Sequence, residues 1–131
     1  MYNIPQAQEK FAALIEAQKK RVAAMREQGE FVDYQSLNEI IIGICGGDGI
    51  GPTITKEAQR VLAFLLKDAV AQGKVAFREI DGLTIENRAA HLKAIPDDVL
   101  QELKACHVIL KGPTTTPRAG DEWPNIESAN V

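Results

Sequence analysis

The chain has 131 residues, a size that suits one domain able to bury roughly two-thirds of its unfolded surface. Its net charge of −3 gives no overall attraction to nucleic acid or an anionic membrane, and no apolar run approaches the roughly 20 residues that span a bilayer. The N-terminus lacks the apolar segment of a secretory signal, and the two cysteines lack CxxC spacing. We therefore expect a cytoplasmic protein that binds neither nucleic acid nor membrane.

The first predicted element is a helix over residues 6–28 that begins after Pro5 and ends at Gly29. Its apolar side chains form one thin stripe: Phe11, Leu14, Ile15, Val22 and Met25. The stripe packs either on its own domain or on a partner subunit, and both interpretations stay open at this point. Because residues 30–38 look like a connector, we predict a helical arm with its connector over 1–37 and a second domain over 38–131.

Strands and helices alternate after the connector. The β-branched run that begins at Ile40 is typical of a strand buried on both faces, as in a parallel sheet. The elements that follow are predicted as a helix over 53–71, a strand over 74–80, a short helix over 87–93, a helix over 96–105 and a strand over 107–111. The inward face of the first of these helices is predicted as Ile54, Ala58, Val61, Leu62, Leu65 and Ala69. This order predicts an α/β fold with parallel pairing.

Two loops could carry chemistry, and the first is GGDGIGP at residues 46–52. Backbone amides at such a turn, close to a helix N-terminus, can hold an anion. The spacing nevertheless matches neither G-x-G-x-x-G nor G-x-x-x-x-G-K-[ST], and Asp48 would repel a phosphate placed there. A phosphate site and a structural tight turn both remain open. His91 and His107 lack the spacing of a metal site and are interpreted as structural.

The second loop is the end of VILKGPTTTP, residues 108–117. Lys111 follows a strand at its carboxyl end, where open α/β sheets bind ligands. Its ammonium suits a carboxylate or a phosphate, and the hydroxyls of Thr114, Thr115 and Thr116 can donate and accept hydrogen bonds. The loop thus favours a polyanionic, hydroxylated small molecule, and the alternative is a solvated turn with an ordinary surface lysine.

Taken together, three motifs resemble the isocitrate/isopropylmalate dehydrogenase family, the β-decarboxylating dehydrogenases. They are GDGIGP after the first strand, KGPTTTP after a unit that begins IPDDVL, and ESANV at residues 127–131. The resemblance covers roughly residues 38–131 and is closer to the isocitrate branch, although the segment RAGDEWPNIE is longer than in many isocitrate dehydrogenases. It implies the N-terminal part of that family's α/β fold, with the helical arm as an addition.

The resemblance also implies roles for six residues. Lys111 would lie near the substrate and the nicotinamide, and Thr115 and Thr116 would lie at the boundary between them. Ser128 and Asn130 would hydrogen-bond substrate carboxylates. Ile50 would pack close to the nicotinamide, so the glycine loop need not hold a pyrophosphate. The implied substrate-binding set is Lys111, Thr115, Thr116, Ser128 and Asn130, and the implied cofactor-binding set is Ile50, Lys111 and Thr116.

The implied reaction is the oxidative decarboxylation of isocitrate to 2-oxoglutarate with NAD or NADP and Mg²⁺ or Mn²⁺. The family's acid–base pair and metal-binding aspartates lie beyond these motifs, so no catalytic residue and no metal ligand is assigned in this chain. Two interpretations make it the N-terminal segment of an enzyme or one half of a split enzyme, inactive until a complementary C-terminal portion or second subunit joins it in a homo- or hetero-oligomer. The alternatives are a non-catalytic regulatory or ligand-binding subunit, or a dehydrogenase for another 2-hydroxy acid such as 3-isopropylmalate.

Overall fold

The structure is a computed structural model and describes residues 3–27 and 32–130. The chain divides into two compact units, Met1–Tyr34 and Gln35–Val131. The division predicted from the sequence, between residues 37 and 38, stays a prediction. In the part of the chain that the structure describes, no helix is both long enough and apolar enough to cross a membrane.

The described residues of the first unit include the helix α1 (Ile4–Glu27). The side chain of Asn3 caps it, because its Oδ1 accepts a hydrogen bond from the backbone N–H of Gln6 at 2.9 Å. None of the helix's side chains is buried, and the predicted apolar stripe is exposed along its length. The predicted end of the helix at Gly29 lies outside the described residues.

The second unit is built on a three-stranded parallel sheet with the order β2-β1-β3. The strands are β1 (Ile40–Cys45), β2 (Val75–Glu79) and β3 (Val108–Lys111). Ile42 in the central strand pairs with Phe77 on one side and with Val108 on the other. The last four residues of β1 are buried, which confirms the prediction of a β-branched strand covered on both faces.

Helices cover the two faces of this sheet with separate clusters. On one face α2 (Gly51–Leu65) and α3 (Lys67–Ala71) follow β1, and Leu66 and Ala69 pack on the cluster of Ile42, Ile44 and Val75. On the other face lie α4 (Ile85–His91) and α5 (Asp97–Lys104). The cluster on that face joins the central strand to α5 and to a residue near the C-terminus: Cys45, Ile80, Leu83, Val99, Leu103 and Ala129. The fold class predicted from the sequence, α/β with parallel strands, is confirmed.

The prediction of one helix over 53–71 was wrong in two respects. The helix begins earlier, at Gly51, and is interrupted at Leu66, whose backbone leaves the helical region. The predicted inward face was also wrong at three positions, because Ile54, Val61 and Leu65 are 47%, 59% and 68% exposed. Leu62 is half-buried, and Leu66 and Ala69 pack on the sheet, so the side of the helical segment that faces the sheet is not the side that carries Ile54, Val61 and Leu65.

The elements on the opposite face lie close to their predicted places. The short helix α4 begins two residues earlier than predicted, at Ile85. The helix α5 follows the buried Pro96, and Asp97 and Asp98 lie in its first turn, where acidic side chains complement the helix dipole. The parallel pairing of β1 with β3, in which Cys45 is opposite Lys111, places the loops after these two strands beside each other at the carboxyl edge of the sheet.

Candidate functional site

The glycine loop after β1 and the loop after β3 are joined through their backbones. The N–H of Asp48 donates to the carbonyl of Pro113 at 2.7 Å, and the N–H of Gly112 donates to the carbonyl of Cys45 at 2.8 Å. Gly47 has a φ of +74°, and a Cβ at this position would collide with the Pro113 carbonyl. Only glycine allows the two loops to approach this closely.

The carboxylate of Asp48 binds the protein's own amides. Its Oδ1 accepts the backbone N–H of Ile85 at 2.8 Å, which caps the otherwise unpaired N-terminus of α4. Its Oδ2 accepts the backbone N–H of Thr115 at 2.6 Å. The carboxylate therefore ties three segments together, and this geometry favours the structural turn over a phosphate site. Sequence reasoning treated Asp48 only as a charge that repels phosphate and missed this role.

Arg88 is the second residue that sequence reasoning missed. Its side chain is fully buried, and its guanidinium donates to three backbone carbonyls. Nε donates to Ala94, Nη1 to Thr115 and Nη2 to Glu127, each at 2.7 Å. The sequence carried no signal for this role, because the short helix predicted over 87–93 did not include the buried Ile85, which lies three residues before Arg88 in α4.

Lys111 and the threonines lie where the sequence predicts, directly after β3. Lys111 is half-buried, and its Nζ donates to the carbonyl of Gly112 at 2.9 Å. The side chains of Thr115 and Thr116 are exposed. The Thr114 hydroxyl is buried, and no partner for it occurs among residues 3–27 and 32–130. The loop therefore offers one cation and two accessible hydroxyls to solvent.

The remaining predicted residues come from two other segments. Ser128 is half-buried, and its Oγ accepts the backbone N–H of Asn130 at 3.2 Å, while Asn130 is exposed. Ile50 is 67% exposed in the glycine loop. We call residues 112–117 the threonine loop and residues 127–130 the Ser128 segment. Arg88 joins the two by donating to the carbonyls of Thr115 and Glu127. Asp48 joins the glycine loop to the threonine loop by accepting the N–H of Thr115. Three segments that are distant in sequence thus meet at one edge of the sheet.

A cavity of about 380 Å³ lies between the glycine loop, the start of α2 and the segment that follows β2. Thr55, Gln59, Glu79 and Asp81 contribute to its wall. None of the six residues predicted to bind substrate or cofactor lines it. The predicted residues therefore lie outside this cavity.

The contacts of the cysteines and of His107 do not indicate a catalytic or metal-binding role. Both cysteines are free; burial and the neighbouring Cys106 raise the pKa of the Cys45 thiol, while the charge of Lys111 opposes this shift. His107 accepts the backbone N–H of Ile41 through Nδ1 at 3.0 Å. Within the residues that the structure describes, no group of three or more His, Cys, Asp or Glu side chains could hold a metal ion.

Comparison with known proteins identifies relatives of this chain. Isocitrate dehydrogenase (NADP) of Staphylococcus epidermidis is 33% identical over 98 residues, which make up 72% of this chain and 21% of the relative. Isocitrate dehydrogenase (NADP) of Caldococcus noboribetus is 34% identical over 85 residues, 63% of this chain and 19% of the relative. A 3-isopropylmalate dehydrogenase of Chromohalobacter salexigens is 33% identical over 81 residues, 62% of this chain and 20% of the relative.

The chain spans about a fifth of the length of these curated relatives. No solved structure matches it at a comparable level of significance. The sequence model described as isocitrate/isopropylmalate dehydrogenase matches residues 41–130, which include the glycine loop, all of the loop after β3 and the segment with Ser128. This match covers more than half of the chain and agrees with the parallel α/β fold. The chain therefore belongs to the isocitrate/isopropylmalate dehydrogenase family.

Proposed function

We propose that this chain forms one wall of the substrate pocket in an isocitrate dehydrogenase that converts isocitrate to 2-oxoglutarate with NAD or NADP. The observation that supports it best is the meeting of three segments at the carboxyl edge of the sheet. Asp48 and Arg88 hold these segments together with hydrogen bonds of 2.6–2.8 Å. The segments carry an ammonium, several hydroxyls and an amide, which together suit a hydroxylated polyanion.

In this proposal each side chain binds or orients the substrate or the nicotinamide. Lys111 attracts the carboxylates of isocitrate from its half-buried place at the end of β3. The exposed hydroxyls of Thr115 and Thr116 lie at the boundary between substrate and nicotinamide. Ser128 and Asn130 hydrogen-bond a substrate carboxylate. The exposed side chain of Ile50 offers an apolar surface to the nicotinamide ring.

The cofactor would accept a hydride from the hydroxyl-bearing carbon of the substrate. A divalent cation, Mg²⁺ or Mn²⁺, belongs to the proposed reaction, but the residues described here do not fit a site for it, because no group of three acidic or other metal-binding side chains occurs among them. We therefore place the metal ligands, and the acid–base groups, on a complementary polypeptide.

A complementary C-terminal portion or second subunit is proposed as the partner, in a homo- or hetero-oligomer. Two apolar surfaces support this. The first is the α2 stripe, which we define as Ile54, Val61 and Leu65, and the second is the edge strand β3, where Val108 and Ile109 are each 44% exposed. Exposed apolar surface of this kind marks an interaction site. Alone, the chain should have negligible dehydrogenase activity.

A second candidate substrate is 3-isopropylmalate. It is favoured by the Chromohalobacter salexigens relative, whose identity of 33% equals that of the Staphylococcus epidermidis isocitrate dehydrogenase. Both substrates are 2-hydroxy acids with carboxylates that Lys111 could attract. They differ in one substituent on C3, which is a carboxymethyl group in isocitrate and an isopropyl group in 3-isopropylmalate.

The test is to isolate the protein from its source under native conditions and to measure mass, subunit composition and NAD(P) reduction with each substrate and Mg²⁺ or Mn²⁺. We expect a larger covalent chain or a bound second polypeptide, turnover of isocitrate, and at least a hundredfold loss of kcat/KM with Lys111→Met. Lys56→Met, an exposed lysine on α2, serves as the matched control. A stable, isolated 14.3 kDa species without turnover would refute the proposal. Turnover of 3-isopropylmalate instead would select the second candidate.

The partner surface has its own test. Val61→Glu together with Leu65→Glu places two charges in the α2 stripe, whereas Ala63→Glu places one on the exposed opposite side of the same helix. Because the stripe is exposed in this unit, neither change should unfold the chain. We expect the stripe variant to lose the partner in native mass spectrometry and the Ala63 variant to keep it. Equal partner binding by both would exclude the α2 stripe as the interface.

A further inference from the structure

The fully buried Arg88 is not explained by the proposed binding roles. Arginine is almost never fully buried unless its charge is paired. Here the guanidinium is satisfied by three carbonyl oxygens at 2.7 Å. Removing such a cation from water is unfavourable, so these three bonds must form together to keep it inside. Their partners therefore show what the buried arginine accomplishes.

The three carbonyls belong to three segments. Ala94 lies just after α4 and fixes the orientation of the guanidinium, since Nε donates to it. Thr115 lies in the loop with the proposed substrate hydroxyls, and Glu127 directly precedes Ser128. Because the guanidinium is a rigid planar fork, the two carbonyls bound by Nη1 and Nη2 have a fixed separation. The side chain thus works as a spacer between the threonine loop and the Ser128 segment.

Asp48 completes the arrangement at one of these two segments. It accepts the N–H of Thr115 at 2.6 Å, while Arg88 donates to the carbonyl of the same residue at 2.7 Å. The backbone of Thr115 is therefore held at both ends, and its side chain is left exposed. The Ser128 segment receives the Arg88 bond but no bond from Asp48 among the described residues. Substitution of Asp48 should therefore affect the threonine loop alone of these two segments, whereas substitution of Arg88 should affect both.

We propose that Arg88 is a positioning residue for the substrate surface, an inference that rests on the function proposed above. It sets the distance between the Thr115–Thr116 hydroxyls and the Ser128–Asn130 groups, and does so without touching the substrate because it is fully buried. Lysine in its place keeps the charge but cannot reach both carbonyls with a fixed fork. The distance between the threonine loop and the Ser128 segment should then no longer be fixed.

The first readout is amide hydrogen exchange in the full chain. Arg88→Lys should accelerate exchange at residues 115–116 and at residues 128–130, while the strands of the sheet keep their protection. Asp48→Asn should accelerate exchange at residue 115 but not at 128–130. Arg78→Lys, an exposed arginine in β2, is the matched control and should change neither segment.

The second readout is steady-state kinetics of the native assembly. Arg88→Lys should raise the KM for isocitrate about tenfold, with a smaller change in the KM for NAD(P). Arg88 does not touch the substrate, but its loss misplaces the groups that bind it. A purely structural role would lower the amount of active protein without moving either KM. This separation of KM from the amount of active enzyme distinguishes positioning from folding.

Three outcomes would overturn the inference: unchanged exchange in both segments, uniformly faster exchange throughout the unit, or complete unfolding of the Arg88→Lys chain. The last two would assign Arg88 to the stability of the whole unit. If the wild-type assembly does not turn over isocitrate, the proposed function fails, and the exchange experiment still decides whether Arg88 couples the two segments. The two failures are therefore distinguishable.

Discussion

Replacing Asp48 by asparagine should destabilise the second unit by about 2 kcal/mol. The carboxylate accepts two backbone N–H groups, from Ile85 at 2.8 Å and from Thr115 at 2.6 Å. A hydrogen bond to a charged group contributes about 1.5–3 kcal/mol, and the half-buried position of Asp48 favours the lower end. Asparagine keeps one oxygen for a neutral bond of about 1 kcal/mol, but its NH₂ group faces the other N–H donor. The expected net loss is therefore about 2 kcal/mol.

Urea unfolding followed by circular dichroism measures this difference, provided that the slope of the transition is the same in both proteins. Asp81→Asn is the matched control, because Asp81 is an exposed carboxylate after β2, and its free energy of unfolding should change by less than about 0.5 kcal/mol. The reasoning would be refuted if Asp48→Asn were as stable as the wild type. It would also be refuted if both asparagine variants lost the same stability.

Two further predictions concern the central strand. A Cβ on Gly43 would lie 2.8 Å from Cδ1 of Ile80 and 2.9 Å from Sγ of Cys106. Because both atoms are side-chain ends that can shift, Gly43→Ala should lower the free energy of unfolding by about 1 kcal/mol, the lower end for overpacking. Gly46→Ala, whose Cβ meets only contacts of 3.4 Å or more, should be nearly neutral, and equal urea midpoints for the two variants would contradict the packing argument. Burial raises the pKa of the Cys45 thiol above its ordinary value of 9.0, so the stability that this neutral thiol contributes is complete below pH 9.0 and is lost as the pH rises through the higher folded-state pKa. Above about pH 9 the wild type should lose stability more steeply than Cys45→Ala, and parallel slopes would exclude the thiol as the cause.

The sheet and the family could be recognised from short stretches of sequence. The run beginning at Ile40 predicted a central buried strand, and the structure confirms it. The motifs at residues 46–52 and 111–117 indicated the family that the comparisons then identified. Such signals are local, because β-branched runs and turn residues act on the backbone next to them.

The inward face of α2 could not be predicted in the same way. Helical periodicity reveals which residues are apolar, but it does not reveal how much surface is available to cover them. Ile54, Val61 and Leu65 share the apolar pattern with Leu62, yet they are exposed, whereas Leu62 is half-buried. The same excess of apolar residues is what now supports a partner for this helix.

The sequence by itself indicated the alternation of strands and helices in an α/β unit and the family, and it predicted six candidate binding residues. The tertiary structure alone revealed how the segments that carry these residues are held. Asp48 and Thr115 are 67 positions apart, and Arg88 and Glu127 are 39 positions apart, so no local pattern connects them. A carboxylate and a guanidinium acquire these partners only after the chain has folded, because only then do buried backbone N–H and C=O groups lack water and need charged side chains instead.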